Sequence, residues 1–332
     1  LARFLEFEVW NFSGAWCSDV GAFLLVKIIH AANELKPAGR KVCLAIGFFD
    51  GVHLGHQQII RQTITDARQH DALALVLTFD QHPNAVVAPD RVPPLIYSLP
   101  QKLCAIESLG TDTLLLIHFD EKFSCQTGEE FIRGLARDVG QIQSLCVGAD
   151  FVFGHKRSGN VPLLKTLGGE IGFTVHGLAA VSLDGQIVSS TRIREMIRSG
   201  DLDAASQMLG RPYAISGVVV EGERLGQQLG FPTANLDVAG LALPPNGVYA
   251  GLANIKGKAY RAALNIGFRP TVASVTQPIH AEAHLLNFSG EIYGKELEVE
   301  VGDKLREEKK FASTAELREQ IARDVATVAS KS

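Results

Sequence analysis

The chain has 332 residues, 46% of them apolar and 20% charged, an ordinary globular composition with length for two separately cored domains. A formal net charge of −4 removes any general pull toward nucleic acid or an anionic membrane, and no apolar stretch reaches the roughly 18 residues of a spanning helix. The five cysteines (Cys17, Cys43, Cys104, Cys125, Cys146) contain no C-x-x-C pair and read as free thiols of a reducing compartment, which predicts a cytoplasmic protein with no obligate protein partner evident.

Residues 1–25 hold both tryptophans, Trp10 and Trp16, without a clear period, and lack the basic start and small-residue cleavage site of a signal peptide. They are expected to be a peripheral leader. From Val26 onward, apolar runs of strand length (Val42–Ile46, Leu73–Phe79, Thr113–Phe119, Leu145–Val147, Gly172–Val175) alternate with helical patterns. One such pattern is Gln57–Gln69, where Ile59, Ile60, Thr63, Ile64 and Ala67 share a face. Continuous apolar strands between helices predict a parallel sheet covered on both faces. Two short helices follow, Thr191–Arg198 capped by Ser190, and Leu202–Leu209. Gly210-Arg211-Pro212 then ends the first domain, predicted at 26–210.

The second domain, predicted at 211–332, has a different rhythm. Ala214–Glu221, Gly247–Asn254, Tyr260–Ile266, Ile279–Leu286 and Lys295–Val301 read as strands joined by short turns, as in an antiparallel barrel. A terminal helix starts at Ser313, with Glu316 as capping-box partner, and places Leu317, Ile321, Val325 and Val328 on one face.

One constellation stands out in the first domain. Gly47-Phe48-Phe49-Asp50-Gly51-Val52-His53-Leu54-Gly55-His56 follows a strand and opens a helix. Glycines let backbone N–H groups approach an anion, and the helix start favours negative charge. Two imidazoles three residues apart can stabilise charge growing on one triphosphate. A plain strand-to-helix turn with incidental histidines would explain His-x-x-His alone, but not the surrounding glycines in this context. Zinc lacks further ligands at suitable spacing.

This stretch resembles the HxGH nucleotidyltransferase superfamily, which implies a Rossmann-like nucleotidyltransferase domain acting on ATP. Ser189-Ser190-Thr191-Arg192-Ile193-Arg194 resembles the S-S-T-x-I-R signature, in which the hydroxyls and helix start hold phosphate and Arg194 meets the β and γ phosphates. Two segments resemble prokaryotic FAD synthetases more narrowly. Thr78-Phe79-Asp80-Gln81-His82-Pro83 is similar to T-F-x-P-H-P, with Gln81 replacing proline. Gly148-Ala149-Asp150-Phe151-Val152-Phe153-Gly154 is similar to the loop that helps form the flavin pocket. The resemblance implies flavin contacts from Phe79, His82, Pro83, Asp150 and Phe153. Phe48 departs from the asparagine or small residue often found there.

The second domain offers Gly222-Glu223-Arg224-Leu225-Gly226-Gln227-Gln228-Leu229-Gly230-Phe231-Pro232-Thr233-Ala234-Asn235. Its glycines suit a loop that wraps a nucleotide. Thr233 and Asn235 alternate onto one face of an extended segment, so both oxygens can reach one Mg²⁺. Bare spacing of this kind is common. The string resembles the riboflavin kinase signature G-x-P-T-A-N, although Arg224 and Gln227 replace a common glycine and basic residue. Asn265-Ile266-Gly267-Phe268-Arg269-Pro270-Thr271 and Ile292-Tyr293-Gly294 are similar to further pieces of that family. Glu282 falls on its catalytic glutamate, and alternation puts Glu282 and His284 on one strand face. A glutamate inside an apolar strand is costly unless satisfied, which points to a functional role, with a solvent-facing strand residue as the alternative. The stretch Leu305–Phe311 resembles the segment that closes over flavin and implies contacts from Arg306, Glu308 and Phe311.

Together the halves resemble bacterial bifunctional riboflavin kinase/FMN adenylyltransferases. The resemblance implies ATP as co-substrate, Mg²⁺ at Thr233 and Asn235, and riboflavin, FMN and FAD as the other ligands. His53, His56 and Arg194 would stabilise charge in one reaction, and Glu282 would act as base in the other. Activity confined to one half, or a flavin-binding regulator without turnover, remain the alternatives.

Overall fold

The computed structural model describes residues 26–222, 225–268 and 279–331. The leader, Arg224 and Arg269-Pro270-Thr271 lie outside the described residues.

The first half is built on six parallel strands, β1 Lys27–Ile29, β2 Val42–Ile46, β3 Leu73–Phe79, β4 Thr113–Ile117, β5 Ile142–Gly148 and β6 Thr174–Leu178. Their order in the sheet is β1-β4-β3-β2-β5-β6, so the chain reverses its direction of travel between β2 and β5. Successive residues of a strand serve opposite faces, and two apolar cores result. Cys43, Ala45, Ala74 and Val76 pack under α1 (Leu54–Gln69) and α2 (Leu99–Glu107). Leu44, Ile46, Leu75 and Leu77 pack under α3 (Gly128–Val139) and α4 (Val161–Ile171). The interior strands are apolar at most positions because both faces are covered, with Thr78, Thr113 and Ser144 as buried polar exceptions. The predicted Gly172–Val175 strand starts later, at Thr174, because Gly172 caps α4 in the left-handed region at φ 96°.

Two helices, α5 (Ser190–Ser199) and α6 (Leu202–Leu209), lead out of this half. The cap of α5 is Ser189, whose hydroxyl accepts from Arg192 N, rather than Ser190 as the sequence predicts. Gly210, at φ 70°, ends α6.

A closed antiparallel barrel follows, in the order β7 Ala214–Val220, β8 Ala234–Leu236, β11 Ile279–Leu285, β10 Lys258–Phe268, β9 Gly247–Ile255 and β12 Glu296–Arg306. Its interior takes Ala262, Leu264, Ile266, Ala281, Ala283, Leu297 and Val299, so the alternate residues of β10 and β11 face outward. Helix α7 (Thr314–Ser330) packs outside, against β10 and β9. Ser313 caps α7, but the Glu316 carboxylate reaches Ala312 N, one residue before the cap. The barrel core is continuous with Ile96, Tyr97, Ile193, Ile197, Met208 and Leu209 of the first half. Among the described residues, no helix is long and apolar enough to cross a membrane.

Candidate active sites

The first site forms at the C-terminal edge of the parallel sheet, beside the point where strand order reverses, the place where open α/β sheets bind ligands. Strand β2 is buried throughout and delivers Gly47 to that edge. There the backbone folds tightly, with Phe49 at φ 55°, Gly51 at φ 73° and Val52 at φ 39°. The Phe49 ring turns back over Gly47, where a Cβ would meet it at 2.7 Å. Gly55 leaves room for the His53 ring, which a Cβ would touch at 3.2 Å. His53 therefore lies over the start of α1 as its cap, with Nδ1 accepting from His56 N at 3.4 Å. That bond leaves the proton of the neutral ring on Nε2. The two imidazoles stack at 3.6 Å, and His56 Nδ1 is buried with no hydrogen-bond partner among the described residues.

The second motif of this half meets the loop in space. Ser190 Oγ donates to Asp50 O at 3.3 Å, and Arg194 Nη2 pairs with Asp50 Oδ2 at 2.6 Å. Asp50 also accepts from Ile96 N and Tyr97 N, so its carboxylate faces inward and holds the loop. Arg194 Nε donates to Pro94 O at 2.6 Å, which fixes the guanidinium beside the loop. Thr191 stands exposed at the start of α5.

Electrostatics here favour uncharged imidazoles. Burial pushes His53 down to about 4, aided by the positive charges of Arg211 and Arg194. Burial lowers His56 well below the ordinary value, with His53, Arg211 and Lys102 adding to it. Lys102, on α2, carries no sequence signal. Its Nζ donates to Phe79 O at 2.6 Å and lies 4.3 Å from the centre of the Phe48 ring. Burial brings it down to about 8, against the pull of Asp50 and Asp80. The large Phe48 side chain thus has a partner on each side, since its edge also meets His82 at 4.8 Å.

Next to this loop runs a shelf of aromatic rings. Phe79 meets Phe119 and Phe123, Phe123 meets Phe131, and Phe131 meets Phe153, with centroids between 5.4 and 6.2 Å apart. Phe153 stacks on Phe151 and is wedged against Gly159, while Asp150 is exposed. His82 and Pro83 open a short helix, with His82 Nδ1 accepting from Asn84 N. Phe119, Phe123 and Phe131 escaped the sequence reading because each looks like an ordinary core residue.

The second site stands on the outer wall of the barrel. Asn235 of β8 and Asn265 of β10 lie directly across from Glu282 of β11, so the ladder itself sets these three polar side chains in a row. They line a cavity of about 500 Å³ together with Thr233, Arg306 and Phe311. His284, two residues from Glu282, bonds through Nδ1 to Pro232 O at 2.8 Å and meets the Phe231 ring edge-on, which fixes the Pro232-Thr233 segment. Gly226 also lines the cavity, while Gly230, at φ 89°, ends the turn after the short helix Leu225–Gln228. Gly222 lies against the Asn235 amide, where any Cβ would overlap it. The far wall comes from α7. Asp324 grips Arg306 with three bonds of 2.8 to 3.1 Å, while Leu317 and Ile321 supply apolar lining. Asp324 carries no local sequence signal, because only the fold brings Arg306 to it. Glu308 lines the same cavity and accepts from Asn246 Nδ2 at 3.4 Å.

Known proteins match both halves of the chain. Family models described as FAD synthetase and as riboflavin kinase match residues 35–192 and 209–331. The chain is 36% identical over 304 residues to a bifunctional riboflavin kinase/FMN adenylyltransferase of Escherichia coli strain K12, covering 91% of this chain and 96% of that one. A protein of the same name from Bacillus subtilis strain 168 is 34% identical, with 90% and 95% covered. This chain belongs to the bifunctional riboflavin kinase/FMN adenylyltransferase family. The fold is shared with a solved Streptococcus pneumoniae structure titled a macrolide-efflux protein, at a TM-score of 0.76 and 27% identity, covering 92% of this chain and 99% of that one. Within the family, the histidine loop falls in the FAD synthetase match and the Asn235–Glu282–Asn265 row in the riboflavin kinase match.

Proposed function

We propose that the chain phosphorylates riboflavin to FMN at the barrel and adenylylates FMN to FAD at the histidine loop, with ATP as co-substrate of both steps. The observation that supports this most is that each half closes its own site from segments far apart in sequence: the loop with α5 through Asp50, and the row Asn235–Glu282–Asn265 through strand register.

At the barrel, Glu282 takes the proton of the riboflavin 5′-hydroxyl as that oxygen bonds to the γ-phosphorus and ADP leaves. Thr233 and Asn235 offer neutral oxygen donors on one wall, which fits a Mg²⁺ ion that takes only one or two protein ligands beside phosphates and waters. When bound, Mg²⁺ supplies positive charge to the phosphate oxygens. The loop carrying Gly222, Gly226, Gly230 and Pro232 borders ATP. Arg306, Glu308 and Phe311 border the flavin, and the Arg306–Asp324 pair holds α7 as its outer wall.

At the loop, an FMN phosphate oxygen attacks the α-phosphorus of ATP and pyrophosphate leaves. A phosphate monoester is already anionic, so no base is needed. His53 and His56 act as N–H donors to the developing charge, and Arg194 and Lys102 are the fixed cations beside them. Backbone N–H groups from Gly47 to Gly55 face the phosphates, with Ser190 and Thr191 across from them. Phe79, His82, Pro83, Asp150 and Phe153 border the flavin along the aromatic shelf.

We place the enzyme in the cytoplasm, in keeping with free buried thiols such as Cys43 and Cys146. Product analysis with riboflavin, ATP and Mg²⁺ tests the reading. FMN and then FAD are expected; one product alone leaves a single active half, and neither leaves a flavin-binding protein.

A further inference from the structure

The histidine loop does not hold its own shape. Val52 is β-branched, yet sits at φ 39°, next to Gly51 at φ 73° and directly before His53. A β-branched residue in that region is an outlier that persists only where its surroundings over-determine it. Besides the Asp50 contacts, fastening comes from beyond α6. Arg211 Nη2 donates to Gly51 O at 2.7 Å, and Nη1 donates to Val52 O at 3.3 Å. Arg211 Nε donates to Tyr97 Oη at 2.8 Å, with the guanidinium carbon 5.0 Å from the Tyr97 ring centre. Gln57 Nε2 completes the clamp by donating to both Val52 O and Leu209 O, at 3.0 and 2.7 Å. Arg211 lies inside the riboflavin kinase match, three residues before β7, and its neighbour Tyr213 is fully buried.

A guanidinium that forks two successive carbonyls fixes the orientation of both peptides, which a point charge on a flexible stem does not do. The peptides it fixes are those that aim His53 over α1 and stack it on His56. The hydrogen bonds of the Arg211 guanidinium run to Gly51 O, Val52 O, Leu209 O and Tyr97 Oη. We propose that Arg211, supplied by the kinase half, is a positioning residue for adenylyl transfer: it holds the strained Gly51-Val52 turn that presents His53 and His56 to the triphosphate. The proposal rests on the assignment of adenylyl transfer to the histidine loop. Besides positioning, its charge adds to the burial that keeps both imidazoles neutral, alongside Arg194 at His53 and Lys102 at His56.

The test uses the full chain. His56→Ala is measured first; if FAD synthesis from supplied FMN survives it, the assignment to the loop fails, whatever Arg211 does. With that assignment standing, Arg211→Met is expected to lower kcat for FAD synthesis by about 10- to 100-fold, with KM for ATP and FMN within about threefold, as for a lost transition-state arrangement. Riboflavin phosphorylation on the same preparation should stay within about twofold of wild type. Arg211→Lys should recover only part of the loss, because an ammonium cannot fork two carbonyls. Added guanidinium ion should restore turnover in Arg211→Ala and not in His56→Ala. Histidine ring proton NMR of Arg211→Lys, whose charge is kept, should show His53 moved in chemical shift by the altered turn. Unchanged FAD synthesis, equal loss of both activities, or a lysine variant with wild-type turnover and an unmoved His53 would overturn the proposal. Should the methionine variant fail to fold, the lysine variant decides by the same criteria.

Discussion

The histidine loop and the barrel pocket are both proposed to serve ATP, yet one is made of strained backbone and the other of side chains on regular strands. In the loop, Phe49 and Val52 take positive φ, and Asp50, Arg194 and Arg211 hold them there from three different segments. In the pocket, Asn235, Glu282 and Asn265 come into line through strand register alone, and the polar row needs no unusual backbone. The loop can thus be damaged from far away in the chain. In the pocket, chemistry can be removed one side chain at a time while the ladder keeps its shape.

That contrast is broken most directly by crossing the two sites. Glu282→Gln keeps size and removes the proton acceptor, so riboflavin phosphorylation should fall by about 10²- to 10⁴-fold while adenylylation of added FMN is unchanged. His56→Ala should do the reverse, cutting FAD synthesis by about 10²- to 10³-fold and sparing the kinase. Steady-state rates of both reactions on each variant check this; a variant that silences both reactions would merge the sites.

A smaller effect separates the loop's burial from the pocket's openness. His53 is held at about 4, below its ordinary 6.5. As pH falls, the unfolded chain takes up this proton first. The stability linked to neutral His53 is therefore complete above about 6.5 and is lost on the way down to about 4. By pH 5 that amounts to about 2 kcal/mol, at about 1.4 kcal/mol per pH step. Thermal unfolding of wild type and His53→Gln between pH 7 and 5 should show the shallower decline in the variant. Equal slopes would mean that the imidazole is not held neutral by the fold.

The smallest effect concerns the pocket's outer wall. Asp324→Asn leaves shape but removes the charge that forks Arg306. KM for riboflavin should rise by up to about tenfold, as for about 1.4 kcal/mol of a charge-assisted pair, with kcat nearly kept. Adenylylation should not respond. A fall in kcat with KM unmoved would place Arg306 in the chemistry rather than in flavin retention.

Much of this comparison was legible along the chain. Val42–Ile46, Leu73–Phe79 and Leu202–Leu209 were read to the residue, since a strand buried on both faces and a helix stopped by glycine leave local marks. The stretches Gly47–His56 and Gly222–Asn235 marked both candidate loops because each is contiguous in the chain. Strand β8 was read only as an extended piece of a loop, since three residues carry too little pattern to declare a strand. Helix α5 shifted its cap by one residue, because two adjacent serines offer the same local chemistry and only geometry chooses Ser189.

Other partners left no local mark at all. Arg194 was assigned to phosphates by resemblance, and the fold ties its guanidinium to Asp50, 144 residues away. Lys102, Asp324 and Arg211 sit in segments whose composition says only helix or linker, yet they meet Phe48, Arg306 and the Gly51-Val52 turn. By itself, the sequence determined the two architectures and named the candidate reacting side chains, because periodicity, caps and contiguous motifs act over a few residues. Tertiary structure alone decided which charges stand beside them and what holds the strained loop, because those contacts join elements whose separation in space has no counterpart in their separation along the chain.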